Sequence, residues 1–288
     1  MQNKKAFAIS FVVLVTALAC SVQVTLPDSE ITTGPTVQEE VNIPAIGEDV
    51  THSLRLEMGA ARVELSPGAG SALVEGVIAY NVEELKPEVI INEHNVEIKQ
   101  GDFDFDVFFI PRIDDLENHW DLRLGAFPLD LEINIGATES DFELGGLAIQ
   151  DLSIFGGASD IRLAFSEPNL IDMETLLINI GAADFRAEGL ANANFSEMEF
   201  EGGAGGYSLD FSGSLQRDAS VDINLGLSEL VIVVPDDVPV TLRITGGLTN
   251  ITFHGNWDQS GSTYTPEGEG PALTIDIEMG AGDLSVRN

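Results

Sequence analysis

Apolar and polar residues alternate along most of this chain, and a glycine interrupts the alternation at near-regular intervals. Leu176, Ile178 and Ile180 run into Gly181-Ala182, Asp184 follows, and alternation resumes at Phe185. The same order recurs at Gly157 with Asp160 and Ile161, at Gly203 with Tyr207, and at Gly226 with Glu229 and Leu230. It recurs again at Gly247 with Asn250 and Ile251, and at Gly280 with Asp283 and Leu284. Gly136, after Leu131, Ile133 and Ile135, reads as an irregular first member, with a longer turn to Asp141-Phe142. Period two in Ile, Val, Leu and Phe predicts strands with one buried face. A glycine fixed between two strands predicts backbone with φ > 0 or a sharp turn. Asp, Asn or Glu three residues later suits a turn whose carboxylate caps its own amides. No helix of any length is predicted; Glu83-Glu84-Leu85 and Asp172-Met173-Glu174 allow one turn at most.

From Gly136 to Gly247 the motif glycines stand 21, 24, 22, 23 and 21 residues apart. The step to Gly280 is 33, with an insertion between Gly255 and Pro271. Such self-similarity predicts stacked repeats. The expected fold is all-β: a right-handed parallel β-helix-like solenoid of about 22-residue repeats. Its structural turns are at Gly59, Gly136, Gly157, Gly181, Gly203, Gly226, Gly247 and Gly280. The alternative is an antiparallel β-sandwich or meander in which each repeat is a hairpin. Earlier in the chain, Leu54, Leu56 and Met58 precede Gly59-Ala60, and strand pattern continues through Ala72–Val82 and Val89–Ile98. Glu57-Met58-Gly59-Ala60 returns as Glu278-Met279-Gly280-Ala281, so the N-terminal part is read as built from the same unit. Ile110–Asn118, with Pro111 and three acidic residues, reads as a loop or domain joint.

Residues 1–19 have the form of a signal peptide: Lys4 and Lys5, then an apolar run of 14 residues, Ala6 to Ala19. That run is too short to span a membrane comfortably. Ala17-Leu18-Ala19-Cys20 resembles a bacterial lipobox, with Ala17 where Leu is usual, and Cys20 is the one cysteine. Lipidation at Cys20 would anchor the chain outside the cytoplasm; the alternative is plain secretion. Residues 20–47, rich in proline and carboxylates, read as the lipidated cysteine and a flexible tether. A β-rich N-terminal module at 48–113 and the repeated solenoid at 114–288 complete the layout.

Forty-eight acidic residues against 13 basic ones give a net charge of −35. That charge argues against nucleic acid as a partner and keeps a sheet-rich protein soluble. His52, His94, His119 and His254 are scattered, with no metal-binding or nucleophile motif, and no cofactor is expected. Glu201–Phe211 superficially resembles a calcium-binding nonapeptide but follows the 22-residue period instead. If coils stack in register, Asp160 and Asp184 lie side by side, with Glu139 or Asp141 before them. They are the weak candidates for a cation, or for the acid–base pair of a glycan-cleaving β-helix enzyme. Recurrence in every repeat favours the turn role, since an active site occurs once. Trp257 and Tyr264, on the insertion, are candidates for stacking on a ligand.

The stretch LRLEMGAARVELSPGAGSALVEGVIAYNVEELKPEV is similar to the N-terminal module of the bacterial toast-rack proteins. From Trp120 onward the hydrophobic-Gly-Ala-x-Asp-hydrophobic units resemble the repeated β region of that family and of LiaF-type and adhesin-type domains. The resemblance implies a non-enzymatic envelope protein and supplies no catalytic residues. LiaF relatives signal envelope stress through membrane-spanning helices, which this chain lacks. The function expected is adhesion, scaffolding or stress-related binding, non-catalytic and lipid-anchored. A carbohydrate-active β-helix enzyme is the alternative. The expected partners are the membrane and an envelope protein or glycan; the sequence leaves the oligomeric state open. Replacing Cys20 by Ser is expected to move the protein from the membrane to the soluble fraction, which cell fractionation checks.

Overall fold

Residues two apart along a strand share a face, so each alternating stretch buries one side against its neighbours. The computed structural model describes residues 33–288 apart from 48–49, 102–115, 236–237, 248–249, 256, 261–262 and 266–269. Thr33–Asn288 form one compact unit. The first strands are β1 (Val37–Pro44), β2 (His52–Pro67), β3 (Ala72–Tyr80), β4 (Pro87–Asn92), β5 (Asn95–Gln100) and β6 (Asn118–Leu124). Next come β7 (Pro128–Glu143), β8 (Ala148–Gly156), β9 (Asp160–Ala164), β10 (Met173–Glu188), β11 (Phe195–Asp210) and β12 (Ala219–Val233). The last are β13 (Val240–Gly246), β14 (Asn250–Phe253), β15 (Asp258–Ser260), β16 (Thr263–Thr265) and β17 (Leu273–Arg287). Glu83–Leu85 and Leu190–Ala193 form single 3₁₀ turns.

The body is a parallel stack, as the solenoid reading expects. Its rungs run in space from β5 with β6 to β2, β7, and β8 with β9. They continue through β10, β11, β12 and β17 to β13 with β14. Antiparallel pairing is confined to the ends. There β3 covers β6, β1 covers β3, β4 covers β5, and the β15–β16 hairpin lies on β13. Parallel register puts like residues in line. Leu56, Ile133, Ile154, Ile178, Phe200, Ile223, Ile277 and Ile244 make one buried ladder. Each contributes about 1.5–3 kcal/mol relative to exposure.

At the motif glycine each rung changes direction. Inward positions step from Ile178 and Ile180 to Ala183 and Phe185, so Gly181 and Ala182 both face outward while the ladder continues. Positive φ is not the reason for glycine here, because none of the eight motif glycines has it. The reason is close approach. A Cβ on Gly203 would lie 2.6 Å from the Gly181 carbonyl oxygen. The equivalents at Gly157, Gly181, Gly226, Gly247 and Gly280 would lie 2.5–3.0 Å from the carbonyl oxygen of the glycine one rung away. Gly136 meets Gly59 in the same manner. The column therefore reads Gly59, Gly136, Gly157, Gly181, Gly203, Gly226, Gly280, Gly247.

Several sequence expectations change. Gly136 begins a regular unit: Glu139 pairs with Asp160 and Phe142 with Leu163. Its pattern is masked because Thr138 and Ser140 occupy buried positions, joined by a 2.9 Å hydrogen bond from the Ser140 hydroxyl to Thr138 Oγ1. Within the expected tether, Val37–Pro44 is a strand rather than a flexible link. Only Val41 and Ile43 are buried, so its period is too short to stand out, and Pro44 is tolerated at its edge position. In the expected loop, residues 110–115 lie outside the described residues, and Asn118 already belongs to β6. Asn118 closes the corner beside Gly59. It donates to Gln100 at 2.8 Å and receives the Trp120 indole N–H at 2.9 Å, while Gln100 accepts the Gly59 amide at 3.2 Å.

Neither β2 nor β17 is an end rung. β2 lies between β5–β6 and β7, and β17 lies between β12 and β13–β14. These are the two strands that carry Glu-Met-Gly-Ala.

Gly205 and Gly206 provide a test of close approach. A Cβ on Gly205 would fall on the Ala183 backbone, whereas one on Gly206 meets only the Asp184 carboxylate. Gly205→Ala is expected to destabilise by about 2 kcal/mol or more, and Gly206→Ala by less than about 0.5 kcal/mol, in denaturant unfolding.

Candidate functional site

Outward positions of the second half of each rung form two rows. Three residues after the motif glycine, Glu139, Asp160, Asp184, Gly206 and Glu229 are register partners in turn. Five residues after it, Asp141, Arg162, Arg186, Ser208 and Val231 are likewise aligned. The structure thus brings Asp160 and Asp184 onto adjacent rungs, about 4.8 Å apart at the backbone. Both are exposed. Asp184 Oδ1 accepts the amide of Gly206 at 3.3 Å, so its carboxylate caps the next rung rather than its own turn. Asp151 does the same with the Thr175 amide at 3.2 Å, while Glu143 accepts both the Gly145 amide of its own turn at 2.8 Å and the Ser166 amide of the next rung at 3.1 Å. Among the described residues no three His, Cys, Asp or Glu gather in a way that could hold a metal.

Basic residues follow a rule. Arg55, Arg62, Lys99, Arg123, Arg162 and Arg243 each form an ion pair with a direct register partner, respectively Glu132, Glu139, Glu88, Glu75, Asp141 and Asp276. Arg162 lies 3.3 Å from Asp141 and 3.2 Å from Glu188. Hydrogen bonding to Glu188, then the charges of Asp141 and Glu188, raise its pKa further. Two strand arginines depart from the rule: Arg287, opposite Val233, only donates to the Ser285 hydroxyl at 3.4 Å among the described residues, and Arg186 is the other. Its register partners are Arg162 and Ser208, and among the described residues it makes no ion pair.

Around this pair the surface is hollow. Gly206 and Ser208 leave little side chain over their rung, and a depression of about 400 Å³ is lined by Asp160, Arg162, Asp184, Arg186, Gly206, Tyr207, Ser208 and Glu229. On the other side a depression of about 260 Å³ is lined by Arg62, Glu64, Glu139, Asp141, Asp160, Arg162 and Arg186. The two share Asp160, Arg162 and Arg186, so together they make a shallow trough running across the strands. Burial, then the charge of Asp184, raises the pKa of Tyr207.

The remaining candidates are placed elsewhere. Cys20 lies outside the described residues, as does the side chain of Tyr264. Trp257 packs partly against the core, 5.5 Å from the ring of Phe253, and donates its indole N–H to the His254 carbonyl at 3.3 Å. His52 is buried beside His94 and Phe127 and accepts the Ile46 amide at 3.0 Å, while His119 lies 3.4 Å from Glu64. The arginine pair has a sequence signal that the acidic row obscures, since Arg162 and Arg186 both stand five residues after a motif glycine.

The family model described as the N-terminal domain of toast_rack, DUF2154, matches residues 32–184, just over half of the chain. No curated protein matches the sequence. Among solved structures, a "putative cell adhesion protein" from Clostridium sporogenes is 17% identical with a TM-score of 0.44. The match covers 88% of this chain and 99% of that one. A "putative lipid binding protein" from Parabacteroides distasonis is 10% identical with a TM-score of 0.39, covering 86% and 96% respectively. A "putative adhesin" from Bacteroides fragilis is 8% identical with a TM-score of 0.35, covering 87% and 96%.

One carboxylate in the stack is held unfavourably. Asp130 is partly buried, its Oδ1 has no hydrogen-bond partner among the described residues, and its pKa is raised by burial and then by Asp151 and Glu174. A raised carboxyl pKa favours the protonated folded form, so its stabilisation is complete at acid pH and is lost as pH rises through the raised value. Asp130→Asn is therefore expected to raise Tm at pH 7 and to leave it unchanged near about pH 3, in thermal melts at the two pH values.

Proposed function

Because the chain belongs to the toast-rack family, we propose that it is a non-catalytic binding protein of the cell envelope. It is held at a membrane through lipidated Cys20 and serves adhesion, scaffolding or stress-related binding. The observation that carries this reading is the repetition of its polar surface. Carboxylates recur rung after rung and cap neighbouring amides, as Asp151, Asp184 and Glu143 do. That is how a scaffold uses acid, whereas hydrolysis of a glycan needs one acid and one base set apart in a single cleft. The depressions on the outer face are open and shallow, which suits an extended partner lying on the sheet better than a substrate enclosed for reaction. Among the described residues no helix is long and apolar enough to cross a membrane.

The purified full-length protein in detergent is expected to retain isolated envelope material on a column and to release no reducing ends from it. Release of reducing ends, abolished by Asp160→Ala with Asp184→Ala, would replace the binding reading with a carbohydrate-active one. Failure to retain any envelope material would remove it.

A further inference from the structure

We propose that the Arg162–Arg186 pair is a recognition site for a carboxylate-bearing sugar of the uronic acid class, in a glycan lying across the rungs. The proposal rests on the envelope-binding reading and names its ligand. In a chain of net charge −35, carboxylates are plentiful, and six of the eight strand-borne cations pair with an acidic register partner, while Arg287 bonds to Ser285. Arg186 is instead set beside a second arginine and a serine. Like charges directly opposite on adjacent strands are unfavourable, and here Asp141 and Glu188 compensate Arg162 alone. That leaves one exposed guanidinium whose five donors are uncommitted among the described residues.

An arginine of this kind binds a carboxylate through two parallel hydrogen bonds, a geometry that an ammonium cannot reproduce. The surroundings select what carries the carboxylate. Asp160, Asp184 and Glu229 line the same depression and would repel a compact polyanion, but they accept hydrogen bonds from hydroxyl groups. Ser208, directly beside Arg186, both donates and accepts. One carboxylate among many hydroxyls is the chemistry of a uronic acid. The trough runs from Arg62 on β2 to Glu229 on β12. These strands and the intervening β7, β9, β10 and β11 are successive rungs, so it extends roughly 24 Å at rung spacing, room for several sugar units.

The test is calorimetric binding of a short oligogalacturonate and of its carboxyl-reduced counterpart to the full-length protein in detergent, at low salt. Wild type is expected to bind the acidic form at least about 10-fold more tightly than the reduced form. Arg186→Ala is expected to lose that preference and Arg186→Lys to keep only part of it. Arg287→Ala, at the end of β17, is expected to keep all of it. Arg186 faces solvent, so equal Tm values for all four proteins will separate recognition from folding. Equal binding of the two oligosaccharides by wild type, or an undiminished preference in Arg186→Ala, would overturn the proposal. In either case continued retention of envelope material by wild type leaves the envelope-binding reading standing, and loss of retention removes both.

Discussion

Main chain meets main chain at the corner of every rung, and that contact sets the rest of the molecule. Parallel strands sit about 4.8 Å apart, and a strand that bends brings its backbone against the carbonyl of the strand beneath. At Gly157, Gly181, Gly203 and Gly226 there is no room for even one carbon more. Once the glycines stack, register follows: Ile154 lies on Ile178 and Ile178 on Phe200, and the core is a set of straight apolar ladders. Small residues continue the contact two places later, where Ala183 faces Gly205 and Gly205 faces Ser228. The repeat is thus a packing requirement expressed in sequence, and its chemistry on the outside is free to vary.

The same register governs the surface. With so many carboxylates on one small body, self-repulsion is the main electrostatic burden. The fold answers it by aiming acids at amides of the next rung and by matching six of the eight strand cations with an acid across the ladder, as Arg243 is matched with Asp276. Individually such exposed pairs are worth about 0–1 kcal/mol. Their uniformity gives them meaning, since it makes Arg186 stand out as a position where the pattern is withheld.

Much of this was legible in the sequence and some was not, for physical reasons. Alternation around Leu176–Ile180 reports burial on one face directly, so the strands and the parallel stack could be read. The rationale for glycine could not, because positive φ and close approach leave the same letter; only neighbouring carbonyls distinguish them. Val37–Pro44 leaves no clear period in the sequence because an outer strand buries just Val41 and Ile43. The 33-residue step to Gly280 reads as an insertion, and Asp258–Ser260 does pair antiparallel with Thr263–Thr265 there, but the step also marks an inversion of rung order that spacing cannot express. At the surface the recurring acids mark Asp160 and Asp184, which are neighbours, Asp184 also capping the Gly206 amide. The arginines two places further on needed the register before they could be seen as a pair.

The inverted order at the C-terminal end has a consequence for how the chain is made. β13 and β14 leave the ribosome before β17, yet their parallel neighbour is β17, which also forms the far face of β12. Until the last fifteen residues of sheet are available, β12 presents an unpaired edge and β13–β14 have no rung on which to stack. The stack therefore cannot be completed vectorially from N- to C-terminus; its final strand must enter a gap with partners on both sides. A chain whose β12 and β13–β14 share β17 as partner stays incomplete until β17 has been made, and locks once it is inserted.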